Sequence, residues 1–182
     1  MSDDFTETRK SSKLVYSGAL LKVHEDEVIL PDGKTARREY VAHPGAAVII
    51  PLFDDNSVLL ERQYRYPVGQ HCYELPAGKL ETGEPSIDTA KRELLEETGY
   101  VAREWSAVYT TLPCIGYSDE RIECFLARGL SFRSVSLDEG EFLETLRLPM
   151  VEALQWVHKG KIRDSKTMLA LLWLDRVLGG SW

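Results

Sequence analysis

Glu93, Glu96 and Glu97 lie close together in the segment Ser86 to Thr98, which reads as an α-helix. Ser86 can serve as its N-cap and Gly99 stands where a C′ glycine belongs. Ile87, Ala90 and Leu94 recur on one face and can bury against a sheet. At about 100° per residue, Glu93 and Glu97 are one turn apart and Glu96 lies three residues beyond Glu93. The three carboxylates therefore converge on one flank, separate from the apolar face. Like charges at this spacing destabilise a bare helix by roughly 0.2–0.5 kcal/mol per pair. Nothing basic lies in the cluster except Arg92 at its edge. A divalent cation would reverse the sign of that cost, and oxygen-rich carboxylate sites suit Mg2+ or Mn2+. By itself, such a cluster is more often a solvated acidic helix face.

The chain's overall charge points the same way. Its 182 residues carry 29 acidic and 22 basic side chains, a formal net charge of −7. Residues 81–97 hold six acids and two bases, and residues 138–144 hold four acids and no base. Each segment is net −4, which leaves the rest of the chain at +1. The acidic balance argues against non-specific binding to nucleic acid or to an anionic membrane. It leaves room for a small anionic substrate met by local cations. A hydrophobic fraction of 43% beside 28% charged residues describes one folded domain with a full core, with room for a small appendage. Cys72, Cys114 and Cys124 are widely spaced, form no CxxC pair and fit no disulfide framework, as expected of reduced thiols in a cytoplasmic protein. Residues 1–13 lack the apolar stretch of a signal peptide, and the longest apolar runs are far short of a membrane span.

The elements that must position these carboxylates can be placed coarsely. The first dozen residues are expected to fray. Leu14 to His43 is β-like, with a turn at Pro31-Asp32-Gly33-Lys34, and forms an antiparallel appendage over residues 1–44. A second hairpin is expected from Ala46 to Phe53 and Ser57 to Tyr66, turning at Asp54-Asp55-Asn56. Cys72 to Leu75 is a short strand, followed by a loop, the acidic helix, and strands at Val101 to Thr111, Arg121 to Leu126 and Glu144 to Leu148. Helices at Met150 to His158 and, after an Asp164 cap, Ser165 to Leu178 close the main domain over residues 45–182. Strands first and helices interleaved at the end imply a mixed sheet sandwiched by helices.

Extended over its neighbours, the acidic helix carries a longer pattern. Gly78 is followed after five residues by Glu84, after seven more by Arg92-Glu93-Leu94, then Glu96-Glu97 and Gly99. These spaced positions match the Nudix box, with the bulky Tyr100 where the family more often has an aliphatic residue. Upstream, Glu61 to Pro67 (ERQYRYP) and Tyr73 to Gly78 (YELPAG) resemble the ADP-ribose pyrophosphatase branch of Nudix hydrolases. So do Gly116 to Glu120, Asp138 to Phe142 and Gly160 to Thr167. The resemblance covers roughly residues 14–178 and implies an α/β fold, the Nudix-type α/β/α sandwich with a mixed central sheet and an N-terminal antiparallel β appendage.

The resemblance also implies roles. Glu93, Glu96 and Glu97 would hold Mg2+, with Mn2+ as a substitute, helped by the backbone carbonyl of Ala77, and Arg92 would fix the carboxylates by an ion pair. Carboxylates committed to a cation make poor bases, because the cation depresses their pKa. A separate base is therefore expected on the acidic loop, with Glu139 favoured and Glu141 as a further metal contact. Arg38, Glu39, Arg65 and Glu120 would contact the nucleotide sugar. Arg62, like Arg65, is placed for phosphate, which suits arginine's planar fork. In this branch N-terminal strands commonly exchange between subunits, which implies a homodimer in which a partner chain could supply Arg38.

The reaction implied is metal-dependent hydrolysis of a nucleoside diphosphate sugar, with ADP-ribose giving AMP and ribose 5-phosphate. Cys114-Ile115 stand before Gly116 where the branch usually has Ser-Pro, so GDP-mannose or a broader set of nucleoside diphosphate sugars is the alternative. A nucleotide-sugar sensor without turnover is the rival from another class, and the intact glutamates argue against it. Capped-RNA hydrolysis would need a basic groove with aromatic platforms, and no such run is visible. His24, His43, His71 and His158 form no ligand spacing.

Overall fold

The computed structural model of the protein describes residues 4–134, 140 and 142–180. The chain forms two compact units, Met1–Pro44 with Cys114–Arg121, and Gly45–Pro113 with Ile122–Trp182. The first unit is a three-stranded antiparallel meander, β1 (Thr8–Ser17), β2 (Lys22–Ile29) and β3 (Thr35–Ala42), in the order β1-β2-β3. Leu30 and Gly33 close the β2–β3 turn, where Gly33 takes φ +82°. Residues Thr8–Ser12 belong to β1, which corrects the expectation of a frayed start. Their polar TRKSS sequence gives no alternation to read, because every residue of β1 is exposed and the strand is held by its backbone pairing to β2. The segment 114–121 docks on β3 of this unit through Val41 N–H to the Tyr117 carbonyl and a Val41–Ser118 bridge.

The second unit is built around β4 (Ala46–Pro51), all six of whose residues are buried. Its side chains alternate between two apolar clusters. Ala46, Val48 and Ile50 join Ala153, Leu171 and Leu174 of the C-terminal helices α2 (Met150–His158) and α3 (Ser165–Leu178). Ala47 and Ile49 join Ala90 and Leu94 of α1 (Ser86–Thr98). A strand buried on both faces reads as a continuous apolar run, as AAVII does. β10 (Ile122–Arg128) runs parallel to β4 and divides its side chains likewise, while β7 (Ala77–Lys79) and β9 (Glu104–Thr111) pair antiparallel at the two edges. The order β7-β4-β10-β9 makes the sheet mixed, and helices on both faces make the α/β/α sandwich.

The strand β5 (Ser57–Arg65) lies between β6 (Gln70–Glu74) and β12 (Leu143–Pro149) in a separate sheet. β4 and β5 therefore do not form the expected second hairpin. The turn at residues 54–56, with Asn56 at φ 58°, carries the chain from one sheet to the other, and only a Leu52–Val58 bridge joins the two ends. A local turn signal fixes the reversal, whereas strand partners are chosen by which faces remain to be buried. Two short strands, β8 (Tyr100–Val101) and β11 (Ser131–Phe132), pair beyond α1. Tyr100 packs edge-on against Phe53 and Phe132, which accounts for an aromatic residue after the box glycine.

All three helices span the residues read from the sequence. Ser86, however, is the first helical residue and not the cap; its hydroxyl donates to Glu123 Oε2 at 2.5 Å, and Pro85 occupies the cap position. Gly99 ends α1 in the left-handed region at φ 74°. Asp164 caps α3, accepting from Thr167 N at 3.0 Å. The Thr167 hydroxyl in turn accepts from Leu75 N at 2.9 Å and donates to Asp164 Oδ2 at 2.6 Å, tying α3 to the chain just after β6. Thr167→Val would keep the shape of this fully buried side chain and strand the Leu75 N–H. We expect urea denaturation to show a loss of about 1–3 kcal/mol.

Candidate active site

The C-terminal half of α1 faces β7. Gly78, in β7, is packed so closely on Glu93 that a Cβ built there would overlap the Glu93 carboxylate. Gly78 is not in the left-handed region, so the glycine is required by this approach and not by its own φ. One residue earlier, Ala77 N–H donates to Glu97 Oε2 at 3.2 Å, and Glu97 is only 4% exposed. β7 thus brings a glycine face to Glu93 and a backbone donor to Glu97.

Arg92 holds the other side. Its Nη1 donates to Glu93 Oε1 at 2.9 Å and to Glu96 Oε2 at 3.0 Å, and its Nε reaches Glu84 Oε1 at 3.2 Å. Thr89 Oγ1 donates to Glu84 Oε2 at 2.7 Å. The hydrogen bonds from Arg92 and Thr89 lower the Glu84 carboxyl to about 2, and the surrounding carboxylates, Glu84 foremost, raise the Arg92 guanidinium. Among the described residues no group of three His, Cys, Asp or Glu side chains is arranged to hold a metal ion, and Arg92 bridges two of the candidates, Glu93 and Glu96. The donor set nevertheless fits a hard divalent ion. Glu97 lies on the Ala77 N–H and Glu93 against Gly78, both oxygen donors, with Glu96 linked to Glu93 through Arg92, and a further buried carboxyl oxygen, Glu61 Oε1, has no hydrogen-bond partner among the described residues.

Comparison with known proteins agrees with this geometry. Residues 43–171 match the model of the NUDIX domain, and residues 7–41 match the nucleoside diphosphate sugar hydrolase N-terminal domain. The chain belongs to the Nudix family. It is 41% identical over 175 residues to a methanol dehydrogenase activator of Bacillus methanolicus, covering 94% of both chains. It is 37% identical to an ADP-ribose pyrophosphatase of Bacillus subtilis (strain 168), covering 88% of each, and 35% identical to one of Mycobacterium tuberculosis, covering 93% of this chain and 84% of that one. A crystal structure of an ADP compounds hydrolase superposes with a TM-score of 0.87 over 99% of this chain and 98% of the other, at 22% identity, and shares the fold. The protein is a Nudix pyrophosphohydrolase.

In this Nudix enzyme the residues expected to bind substrate are distributed between the two units. Arg62 and Arg65 are on β5 of the second unit. Arg62 Nη1 lies 3.2 Å from Glu144 Oε2, its partner across the β5–β12 ladder. Arg65 is gripped by Glu74, with Nε to Oε1 at 2.7 Å and Nη2 to Oε2 at 3.0 Å, which leaves Nη1 without a hydrogen bond among the described residues. Arg38, Glu39 and Glu120 are in the first unit. Arg38 Nε donates to Glu7 Oε2 at 2.9 Å, Glu39 is exposed opposite Glu25, and Glu120 Oε1 lies 3.8 Å from His43 Nε2. Glu139 and Glu141, the expected base and additional metal contact, lie outside the described residues.

The structure adds residues to which sequence reasoning gave no role. Glu74, 3% exposed, also accepts from Lys166 Nζ at 2.5 Å, and Lys166 lies 3.0 Å from Asp164. Burial alone would raise the Glu74 carboxyl, but Arg65 and Lys166 outweigh it and hold it below the usual range. Glu61, 1% exposed, is the opposite case: burial, with the Glu74 charge beside it, pushes its carboxyl up to about 8. The available signal was a glutamate directly following the apolar run Val58-Leu59-Leu60. Gly78→Ala tests the β7–α1 approach. The atoms it would meet are the far end of a flexible side chain, so we expect thermal stability within about 1 kcal/mol of wild type. Glu93 must swing aside, and hydrolysis should fall about 100-fold or more, as when a catalytic group is misplaced by 1 Å.

Proposed function

We propose that the protein hydrolyses the diphosphate bond of a nucleoside diphosphate sugar, with ADP-ribose as the leading substrate and Mg2+ as the metal. Water adds across the P–O–P linkage, and ADP-ribose gives AMP and ribose 5-phosphate. The observation that carries this reading is the placing of Glu97 on the Ala77 N–H and of Glu93 against Gly78, with Arg92 joining Glu93 to Glu96. The match of residues 7–41 to the N-terminal domain of nucleoside diphosphate sugar hydrolases supports the substrate class. The names of the Bacillus subtilis and Mycobacterium tuberculosis relatives support ADP-ribose. The Cys114-Ile115-Gly116 sequence keeps GDP-mannose or a broader nucleoside diphosphate sugar set as the alternative.

Glu93, Glu96, Glu97 and the Ala77 carbonyl would hold the cation, Mg2+ or in its place Mn2+. A bound divalent ion supplies charge neutralisation at the diphosphate and activation of water. Arg65, pre-oriented by Glu74, offers its Nη1 to a phosphate oxygen, and Arg62 offers a second cation on the same strand. Glu139 would take the proton of the attacking water, and Glu141 would be a further metal contact. Arg38, Glu39 and Glu120 contact the nucleotide sugar.

We read residues 1–44 as the appendage and residues 45–182 as the hydrolase domain of a homodimer. The appendage's outer strand β1 exposes all ten residues, Leu14, Val15 and Tyr16 included, a surface suited to a second copy. The three cysteines are free, in keeping with a cytoplasmic enzyme, and among the described residues no helix is long and apolar enough to cross a membrane.

A panel of nucleotide sugars assayed with Mg2+ and with EDTA tests the function. We expect monophosphate release from ADP-ribose that stops with EDTA; no metal-dependent release from any member would refute it. Glu139→Gln should retain substrate binding and lose about 100-fold or more in kcat, in line with removal of a general base. A severe loss in Glu141→Gln with near-normal turnover in Glu139→Gln would reverse the two roles.

A further inference from the structure

We propose that Glu61 is a positioning residue of the divalent-cation site, acting on Glu97 from strand β5. The inference rests on the reading of Glu93, Glu96 and Glu97 as cation ligands and adds a residue from outside the helix and its flanking loop. Glu61 follows Val58, Leu59 and Leu60, all buried, and is itself 1% exposed. An apolar side chain would satisfy such a position without cost. A buried carboxyl group is instead expensive unless it is hydrogen-bonded.

Its surroundings supply that bonding only in part. Across the ladder its partners are Glu74 on β6 and Thr145 on β12. Its carboxyl is in hydrogen-bonding contact with that of Glu97, and the Glu74 charge is close by. The two nearby cations, Arg65 and Lys166, both bond to Glu74. Glu61 Oε1 has no hydrogen-bond partner among the described residues. A fully buried acid thus lies against a proposed metal ligand with one oxygen unsatisfied, in a pocket that already holds two other carboxylates.

Occupation of the site by a divalent cation changes that balance. A divalent cation held by Glu97 would offset the negative charge of Glu97 and Glu74 packed around Glu61. Glu61 in turn orients Glu97 from strand β5, as outer partners of metal-binding side chains do. Cation affinity therefore depends on a strand residue that sits apart from the helix motif.

Mn2+ binding, followed by loss of the free-ion electron paramagnetic resonance signal, tests this in wild type, Glu61→Gln, Glu61→Leu and Glu97→Gln. Circular dichroism and metal-free thermal midpoints establish that each variant is folded. We expect both Glu61 variants to bind Mn2+ about 10-fold or more weakly than wild type, the range seen when an outer partner of a metal ligand is removed. Raising Mg2+ should restore most of kcat in Glu61→Gln and not in Glu97→Gln, with KM for substrate unchanged, a split that mere loosening of the fold would not produce. Wild-type Mn2+ affinity in the Glu61 variants, with binding lost in Glu97→Gln, would overturn the inference alone. Wild-type affinity in Glu97→Gln as well would overturn the site reading and the inference together. If Glu61→Gln fails to fold, Glu61→Leu, which leaves no buried polar group behind, decides the outcome.

Discussion

Crowded negative charge is the constraint on which the site depends. Glu84, Glu93 and Glu96 gather around Arg92 on and before α1, Glu97 lies against Glu61 of β5, Glu61 pairs with Glu74 of β6, and Glu61, Glu74 and Glu97 are buried. Each must be met by a cation or a donor. Arg92 serves Glu84, Glu93 and Glu96; Arg65 and Lys166 serve Glu74; Ala77 N–H serves Glu97. The hydrogen bonds are arranged so that Glu74 is satisfied on both oxygens while Glu61 keeps one unpartnered among the described residues. Such an arrangement is poised for added positive charge, which is why the cation is central to this account.

The sandwich makes the crowding sustainable. β4 is buried on both faces, so α1 is fixed on one side of the sheet through Ala90 and Leu94, and α2 and α3 on the other through Ala153, Leu171 and Leu174. Burial of each of the leucines contributes roughly 1.5–3 kcal/mol, enough together to offset a few unfavourable carboxylate contacts. β7 then sets the height of the carboxylates by the absence of a Cβ at Gly78. Thr167 and Lys166 carry the same rigidity from the start of α3 to Leu75 and Glu74, so the grip on Arg65 is anchored in the core.

Much of this was legible in the sequence, for physical reasons particular to each element. The helix Ser86–Thr98 announced itself through the Ile87, Ala90 and Leu94 face and the Gly99 stop, and Asp164 marked the start of α3. The convergence of Glu93, Glu96 and Glu97 follows from helix geometry alone. What could not be read was whatever depends on partners distant in sequence. The polar start of β1 is a strand because β2 offers it a backbone ladder, and β4 and β5 part company because each finds better-matched neighbours than the other. β7 is three residues long, too short to show alternation. The burial of Glu61, Glu74 and Lys166 is invisible in a string where acids and lysines are ordinarily solvated. Their roles emerge only once β5, β6 and α3 are brought together.

The most direct test of the central claim is the thermal midpoint of the wild-type protein titrated with MgCl2, against NaCl at matched ionic strength. A ligand that binds only the folded state at 100 times its Kd stabilises by about 2.7 kcal/mol. For a chain of this length that corresponds to a rise of roughly 5–10 °C. The account predicts a rise of that order with Mg2+, saturating, and absent with NaCl. A midpoint that responds equally to both salts, or to neither, would contradict it.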